Sequence, residues 1–338
     1  MQRKASVSTL EQQIIQYFGN ISESVLGIEP TKPVEILDMT PGAYNLNYHV
    51  AVDGKRFIFR VNILQQSGLA EQIDYESAVM QYLYLYDITP SIYHVDNTKS
   101  IFDFDVLIEE YLEGPYISLT EAEMPAVAAL LAKLHSLDPS RLPLITWSKP
   151  LEDTRDLVLS DLREYMAKKS ADERVIALTN QFLAKVNPVI EEKCSLFAPD
   201  GINHTDVAVD NFIKTKDGLK LIDWEKPRFD DCSYDICCFL SEPCQLWCVP
   251  EVLSPAGREI FLKEYIRLSG KDEELVREKL RVREPLVSLH WVFWGLNRLC
   301  DLEDQTTASA LQEAHGEKVS RWRRIADPCH IEKLIAMI

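Results

Sequence analysis

The stretch INHTDVAVDNFIKTKDGLKLIDWEK, from Ile202 to Lys226, sets His204, Asp206, Asn211, Asp223 and Glu225 around one short polar turn. These residue types suit phosphoryl transfer from a nucleotide, a reaction that leaves little covalent work to the protein. One carboxylate must orient the attacking hydroxyl and accept its proton. Hard oxygen donors must hold Mg2+ against the phosphates. Asp206 and Asn211 have the D-x4-N spacing that lets one loop carry both a base and a metal ligand. Asp223 closes the apolar run Leu219 to Ile222, so a hairpin would return it alongside Asn211. Plainer readings compete. Asp206 and Asn211 alone are ordinary turn formers, and a core histidine is the plainer reading of His204. An EF-hand is excluded, because its alternating oxygen ligands and terminal Glu are missing.

Positioning these groups requires a particular set of elements. NFIKT, a turn at Lys216, Asp217 and Gly218, and LKLIDW predict a two-stranded hairpin inside an otherwise helical region. Upstream, a short amphipathic helix over Leu10 to Phe18 precedes the strand VEILDM. YNLNYHVAV and RFIFRVN then pair about Asp53-Gly54, a turn dipeptide whose central residues need positive φ. EQIDYESAVMQYLYLY has helical period, with Tyr75, Val79, Tyr82, Leu83 and Tyr86 on one face. SIYHV and DVLIEEYL return to strand character. Beyond Gly114-Pro115 the pattern turns helical: EMPAVAALLAKLHSL is apolar on most sides, LTNQFLAKVNPVIEEKC continues, and long helical stretches follow Pro255 and Asp272. The expectation is an α+β fold of two lobes. Residues 1–113 form a small antiparallel-sheet N-lobe, and residues 114–338 form a larger, mainly helical C-lobe. A chain of 338 residues suits such a division better than one small core.

Composition narrows the partners. A net charge of -17 disfavours nucleic acid and anionic membrane surfaces, which both call for basic patches. No apolar run approaches the roughly 20 residues of a membrane span. The first residues lack the apolar core of a secretory signal, which leads to a cytoplasmic expectation. The eight cysteines lie in the second half, and CSYDICCFLSEPCQLWC lacks the paired C-x2-C spacing and nearby His of a zinc site. Cys237 and Cys238, between Ile236 and Phe239, read as reduced core thiols.

H-T-D-x4-N followed by L-I-D-W-E and then S-Y-D resembles the aminoglycoside phosphotransferase and choline kinase superfamily. Upstream, PGAYNLNYHV is similar to that family's Gly-Gly-x-Ser-Asn-x-x-Tyr phosphate loop. FIFRVN, the helix bearing Glu76, VLIEEYLEG and ALLAKLHSL fall in family order, so the resemblance covers roughly Val34 to Leu240. It implies a protein-kinase-like fold and an ATP- and Mg2+-dependent kinase of small-molecule hydroxyls. By resemblance, Asp206 is the catalytic base and His204 braces its loop, while Asn211 and Asp223 ligate Mg2+. Gly42 and Asn45 belong to the phosphate loop. Arg60 contacts the phosphates and pairs with Glu76. Backbone groups from Glu110 to Leu112 receive the adenine, and Asp235 orders the catalytic loop. Two departures stand out. The phosphate loop keeps one glycine, Gly42, with the bulky Tyr44 nearby, so backbone approach to the phosphates is reduced unless Asn45 compensates. Arg60 stands where aminoglycoside enzymes commonly have Lys and where choline and ethanolamine kinases have Arg, which is not a neutral exchange.

The acceptor is expected to carry an amine of the choline, ethanolamine or aminoglycoside kind. PLVSLHWVFWGLNRLCDLED resembles the Trp-Gly-Leu helix of choline kinases, and sets Trp291 and Trp294 on one helical face, where cation–π attraction could hold an amine. Aromatic residues at helical spacing equally mean core packing. Glu225, beside the metal Asp, is the better-placed carboxylate for drawing in an amine. A kinase of an uncharged sugar or hydroxy-acid, and a nucleotide-binding pseudokinase with an altered glycine loop, are the alternatives.

Overall fold

The computed structural model describes residues 7–21, 23–29, 32–42, 44–65, 69, 71–304 and 316–338. The chain divides into two units, Met1–Glu113 with Lys220–Glu225, and Gly114–Leu219 with Lys226–Ile338. The expected boundary near Gly114 therefore needs one amendment: Lys220–Glu225 leaves the helical unit and joins the sheet unit. Local bonds explain the exchange. Leu221 N donates to Ile88 O at 2.8 Å, Lys220 pairs with Asp87, and Asp223 pairs with Arg60.

The first unit is a five-stranded antiparallel sheet. Its strands are β1 (Val34–Pro41), β2 (Asn45–Val52), β3 (Lys55–Asn62), β4 (Ile92–Asp96) and β5 (Asp105–Glu110), in the order β1-β2-β3-β5-β4. Asp53 and Gly54 take φ of 51° and 73°, so the β2–β3 hairpin turns where both central residues sit in the left-handed region. Strand alternation then sorts the side chains. Tyr48, Val50, Val52, Phe57, Phe59 and Val61 are buried with Leu10, Ile14, Tyr17 and Phe18 of α1 (Val7–Asn20) in one core. Arg60 and Asn62 alternate with these residues and therefore occupy the opposite face, paired in register with Asn47 and Asn45. After α2 (Glu23–Leu26), α3 (Gln72–Tyr84) buries Tyr75, Glu76, Val79 and Leu83. Tyr86, expected on that stripe, is 37% exposed, because the helix has already ended at Tyr84.

The second unit contains α4 (Met124–His135), α5 (Pro150–Met166), α6 (Glu173–Lys193), α7 (Ser233–Leu240), α8 (Glu242–Cys248), α9 (Pro255–Ser269), α10 (Glu273–Glu303), α11 (Gly316–Ile325) and α12 (Pro328–Met337). Leu151 and Val158 of α5, Phe182 and Val186 of α6, Leu286, Leu289 and Phe293 of α10, and Ile331 of α12 share one core. A small sheet in the order β6-β10-β7 joins Ile145–Thr146, Arg228–Asp230 and Gly201–Asn203. The expected hairpin is present as β8 (Phe212–Thr215) and β9 (Gly218–Leu221). Cys237, Cys238 and Cys244 are buried, and none of the eight cysteines is in a disulfide. Among the described residues no helix is long and apolar enough to cross a membrane.

One buried guanidinium ties this unit together. Arg283, fully buried on α10, donates to both oxygens of Asp230 at 2.9 and 2.8 Å and to Asp231 O at 3.0 Å. It also reaches Ser233 Oγ at 3.3 Å, Thr154 Oγ1 at 3.0 Å and Pro150 O at 3.0 Å. The start of α5, the end of β10 and the first turn of α7 thus share one cation. Such a cluster is fragile to loss of one member, which strands the others in a dry interior. Arg283→Leu is expected to cost about 3–5 kcal/mol in urea unfolding of the full chain. A loss well under 1 kcal/mol would mean that the cluster is relaxed by water.

Candidate active site

In the sheet unit, the site is built around Arg60. This residue is 3% exposed, and its Nη1 donates to Glu76 Oε2 at 3.1 Å while its Nη2 donates to Asp223 Oδ1 at 2.6 Å. Gln72 Nε2, one helical turn before Glu76, donates to Glu76 Oε1 at 2.7 Å and fixes that carboxylate. Burial works against the guanidinium charge, yet the field of Asp223, Glu76, Glu109 and Glu225 outweighs it and raises its pKa well above the ordinary value. The carboxylates bear the opposite cost. Burial, only partly offset by Arg60, pushes Glu76 up to about 7, and burial likewise pushes Glu109 up to about 6. One cation surrounded by four acids leaves this surface short of positive charge.

Asp223 takes φ of 66°, in the left-handed region that a residue with a side chain seldom occupies. Its carboxylate is about one-third exposed, with Oδ1 given to Arg60. Asn45 is buried; its Oδ1 accepts from Asn62 Nδ2 at 2.9 Å and its Nδ2 donates to Glu225 Oε1. Both ends of the Asn45 amide are thereby committed, and what it holds in place is Glu225. Gly42 N donates to Asn45 O at 2.8 Å, which closes the connection ahead of β2. Glu110 ends β5 with its side chain accepting from Ser91 N and Oγ, both at 3.1 Å, and Leu112 follows outside the strand.

In the helical unit, the loop from His204 to Asn211 hangs from Asp235 in the first turn of α7. Asp235 is fully buried; its Oδ2 accepts from His204 N at 2.7 Å and its Oδ1 from Thr205 N at 2.8 Å. Burial alone would raise its pKa, but the bond from His135 and the His204 amide outweigh that and hold it below the usual carboxylate value. Thr205, β-branched with φ of 74°, is in a costly conformation. Its amide bond to Asp235 and its hydroxyl, donated to Lys226 O at 2.9 Å, keep it there. His204 is buried, and its Nδ1 accepts from Asp206 N at 3.2 Å. Asn211 Nδ2 donates to Asp206 O at 2.8 Å, which turns the amide oxygen away as the remaining hard donor. The helical unit thus brings His204, Asp206, Asn211 and Asp235 together, and the sheet unit brings together Asn45, Arg60, Glu76, Asp223 and Glu225.

The family profile of the phosphotransferase enzyme family matches residues 36–278, most of the chain. The chain belongs to that family. Among solved structures it is similar to an ethanolamine kinase from Plasmodium vivax, at 15% identity and a TM-score of 0.62, covering 98% of this chain and 93% of that one. It is similar to a choline kinase from Cryptosporidium parvum, at 15% identity and 0.61, over 96% and 97% of the two chains. A spectinomycin phosphotransferase bound to ADP and spectinomycin matches at 14% identity and 0.58, over 96% and 97%. At these identities the likeness establishes the fold, which is the α+β, protein-kinase-like one expected. No curated protein sequence matches the chain.

Trp291 and Trp294 lie in an aromatic cluster with Trp247 of α8. Trp247 stacks on Trp322 at 5.7 Å and meets Trp291 and Trp294 at 6.3 and 6.0 Å. Trp294 Nε1 donates to His290 Nε2 at 3.2 Å, and Arg298 lies 5.7 Å above the Trp294 ring. Sequence reasoning passed over Gln72, Asn62, Glu109 and His135, which hold or surround the site. A detectable signal existed: each is a polar residue on an otherwise buried helical or strand face.

Glu76 gives a pH test. Its folded pKa of about 7 lies above the ordinary 4.5, so the folded state retains a proton that the unfolded chain has lost. Stability therefore falls as pH rises through that window. Glu76→Gln has no such proton to lose. The urea midpoint of E76Q should decline less than that of the unaltered protein between pH 5 and 7.5; identical slopes would show that Glu76 ionises normally.

Proposed function

We propose that this phosphotransferase moves the γ-phosphoryl group of ATP to a hydroxyl of a small molecule, with Mg2+ as the required cation. The observation that carries this reading is the catalytic loop, in which Asp206 is presented by a strained segment anchored on a buried carboxylate. The acceptor oxygen bonds to phosphorus, the bridging P–O bond breaks with its electron pair leaving on ADP, and Asp206 takes the hydroxyl proton. Residues 1–113 with the Asp223 segment would serve the nucleotide, and the rest of the chain would serve the acceptor.

The donor set suits Mg2+. Asn211 offers an amide oxygen and Asp223 its second carboxylate oxygen, both hard donors. Among the described residues no cluster of His, Cys, Asp or Glu competes as a metal site. The cation would neutralise phosphate charge beside an acid-rich surface. Arg60, already charged and held by Glu76 and Asp223, is the protein's own phosphate contact.

For the acceptor, Glu225 and the acidic chain support an amine. Arg298 over Trp294 opposes an aromatic cage for a quaternary amine, since that ring already has a cation. A hydroxy-acid, which Arg298 would favour, is the second reading. Screening primary amino alcohols, choline, aminoglycosides, sugars and hydroxy-acids for ADP release separates them. Primary amines should be turned over at least as well as choline. Turnover of hydroxy-acids alone would select the second reading, and Mg-ATP binding without any turnover would identify a pseudokinase.

Two carboxylates should fail differently. Asp206→Asn should lower turnover by about 10²–10⁴-fold with little change in Mg-ATP affinity. Asp223→Asn should weaken Mg-ATP binding as well as activity. Arg60→Ala should weaken ATP binding, and unchanged affinity there would mean that the phosphates are held elsewhere. Near-full turnover in D206N would reduce Asp206 to a turn residue.

A further inference from the structure

The bond network does not stop at Asp235. His135, at the last turn of α4, is 4% exposed and sits on a helix whose other buried positions are Met, Val, Ala and Leu. Its Nε2 lies 3.3 Å from Asp235 Oδ2, and its Nδ1 lies 2.8 Å from the Tyr265 hydroxyl on α9. Asp235 already accepts one backbone amide on each oxygen, so an ionised Asp235 can only accept from His135. A neutral His135 must then carry its proton on Nε2, leaving Nδ1 to accept from Tyr265 O–H. The tyrosine thus selects the histidine tautomer that Asp235 needs, as the partner of one imidazole nitrogen usually decides the state of the other. Gly201, at the start of β7, permits the approach: a Cβ there would lie 2.9 Å from His135 O and 2.4 Å from Cys232 Sγ. Nothing larger than a bare backbone lets the end of α4 come this close.

We propose that Tyr265 and His135 are positioning residues for the phosphoryl-transfer step. They act through Asp235 on the His204–Thr205 amides and hence on the placement of Asp206. Neither touches substrate. The chain of bonds runs from α9 through α4 and α7 to the catalytic loop, and the strained Thr205 is where it is felt. If Asp235 loses its third donor, its hold on the two loop amides loosens first at the residue that most resists its own conformation. The proposal rests on Asp206 as the base, so the experiment must separate the two.

Tyr265→Phe, His135→Gln, His135→Ala and the double variant Tyr265→Phe/His135→Gln would be compared in the full chain. ADP release would be measured with whichever acceptor the unaltered protein turns over, and with water as acceptor. Loss of one charge-assisted bond should lower kcat about tenfold in H135A, with the KM for ATP nearly unchanged. Gln can still donate to Asp235, so H135Q should recover most of that loss. Tyr265→Phe should lower kcat severalfold alone and have no further effect in the H135Q background, because its role runs through the imidazole. With 15N-histidine labelling, the His135 nitrogens should report a single Nε2-protonated tautomer, and a mixed one in Y265F. That signature would not change if Tyr265 served only to fill space. The proposal is overturned by full kcat in both H135A and Y265F while D206N is inactive, or by fully additive effects of the two sites, or by an unmoved histidine spectrum in Y265F. An active D206N would sink the base assignment first and remove what the relay was said to position. Should H135A fail to fold, Y265F and the spectrum still decide the matter.

Discussion

A carboxylate with no exposed surface governs the helical unit of this protein. Asp235 stays ionised in a dry interior because three donors converge on it, two of them amides of the loop it orders. Unmet, such a charge would neutralise or pull in water. The constraint works in both directions, since the amides hold the charge and the charge holds Thr205 in a conformation it would otherwise leave. Asp235 is in turn held by its helix, and the first turn of α7 is pinned by Arg283 reaching Ser233 and the Asp230–Asp231 segment. Removal of solvent gives each of these bonds its strength and makes each partner hard to replace.

The sheet unit solves a different electrostatic problem. Arg60 must carry charge where four acids compete for it, and the acids exceed what one guanidinium can neutralise. The raised Glu76 and Glu109 are the visible result of that imbalance. Within this surface Asn45 is a brace between Asn62 and Glu225. An amide buried among acids is most useful as a neutral donor.

The aromatic helix illustrates how spacing underdetermines role. Trp291 and Trp294 do lie on one face of α10, as their three-residue separation requires. Their neighbours come from α8 and α11, with Trp247 and Trp322 completing the cluster and Arg298 one turn further along α10. Helical periodicity specifies a direction from the axis and says nothing about what another helix brings to meet it.

Local rules determined much of this protein from sequence alone. Strand alternation and the Asp53-Gly54 turn put Arg60 and Asn62 on the face opposite the α1 core. The β8–β9 hairpin followed from its polar turn, and D-x4-N set Asp206 and Asn211 on one loop, because these depend on residues near in the chain. Tertiary structure alone decided the rest. Lys220–Glu225 joined the sheet unit through bonds to Ile88, Asp87 and Arg60, partners more than a hundred residues away. His135 reached Asp235 across a similar separation, and Tyr265 reached His135, through an approach that Gly201 permits. A sequence records which polar side chains lie on buried faces, but the partner that makes each burial tolerable is chosen by packing between distant elements.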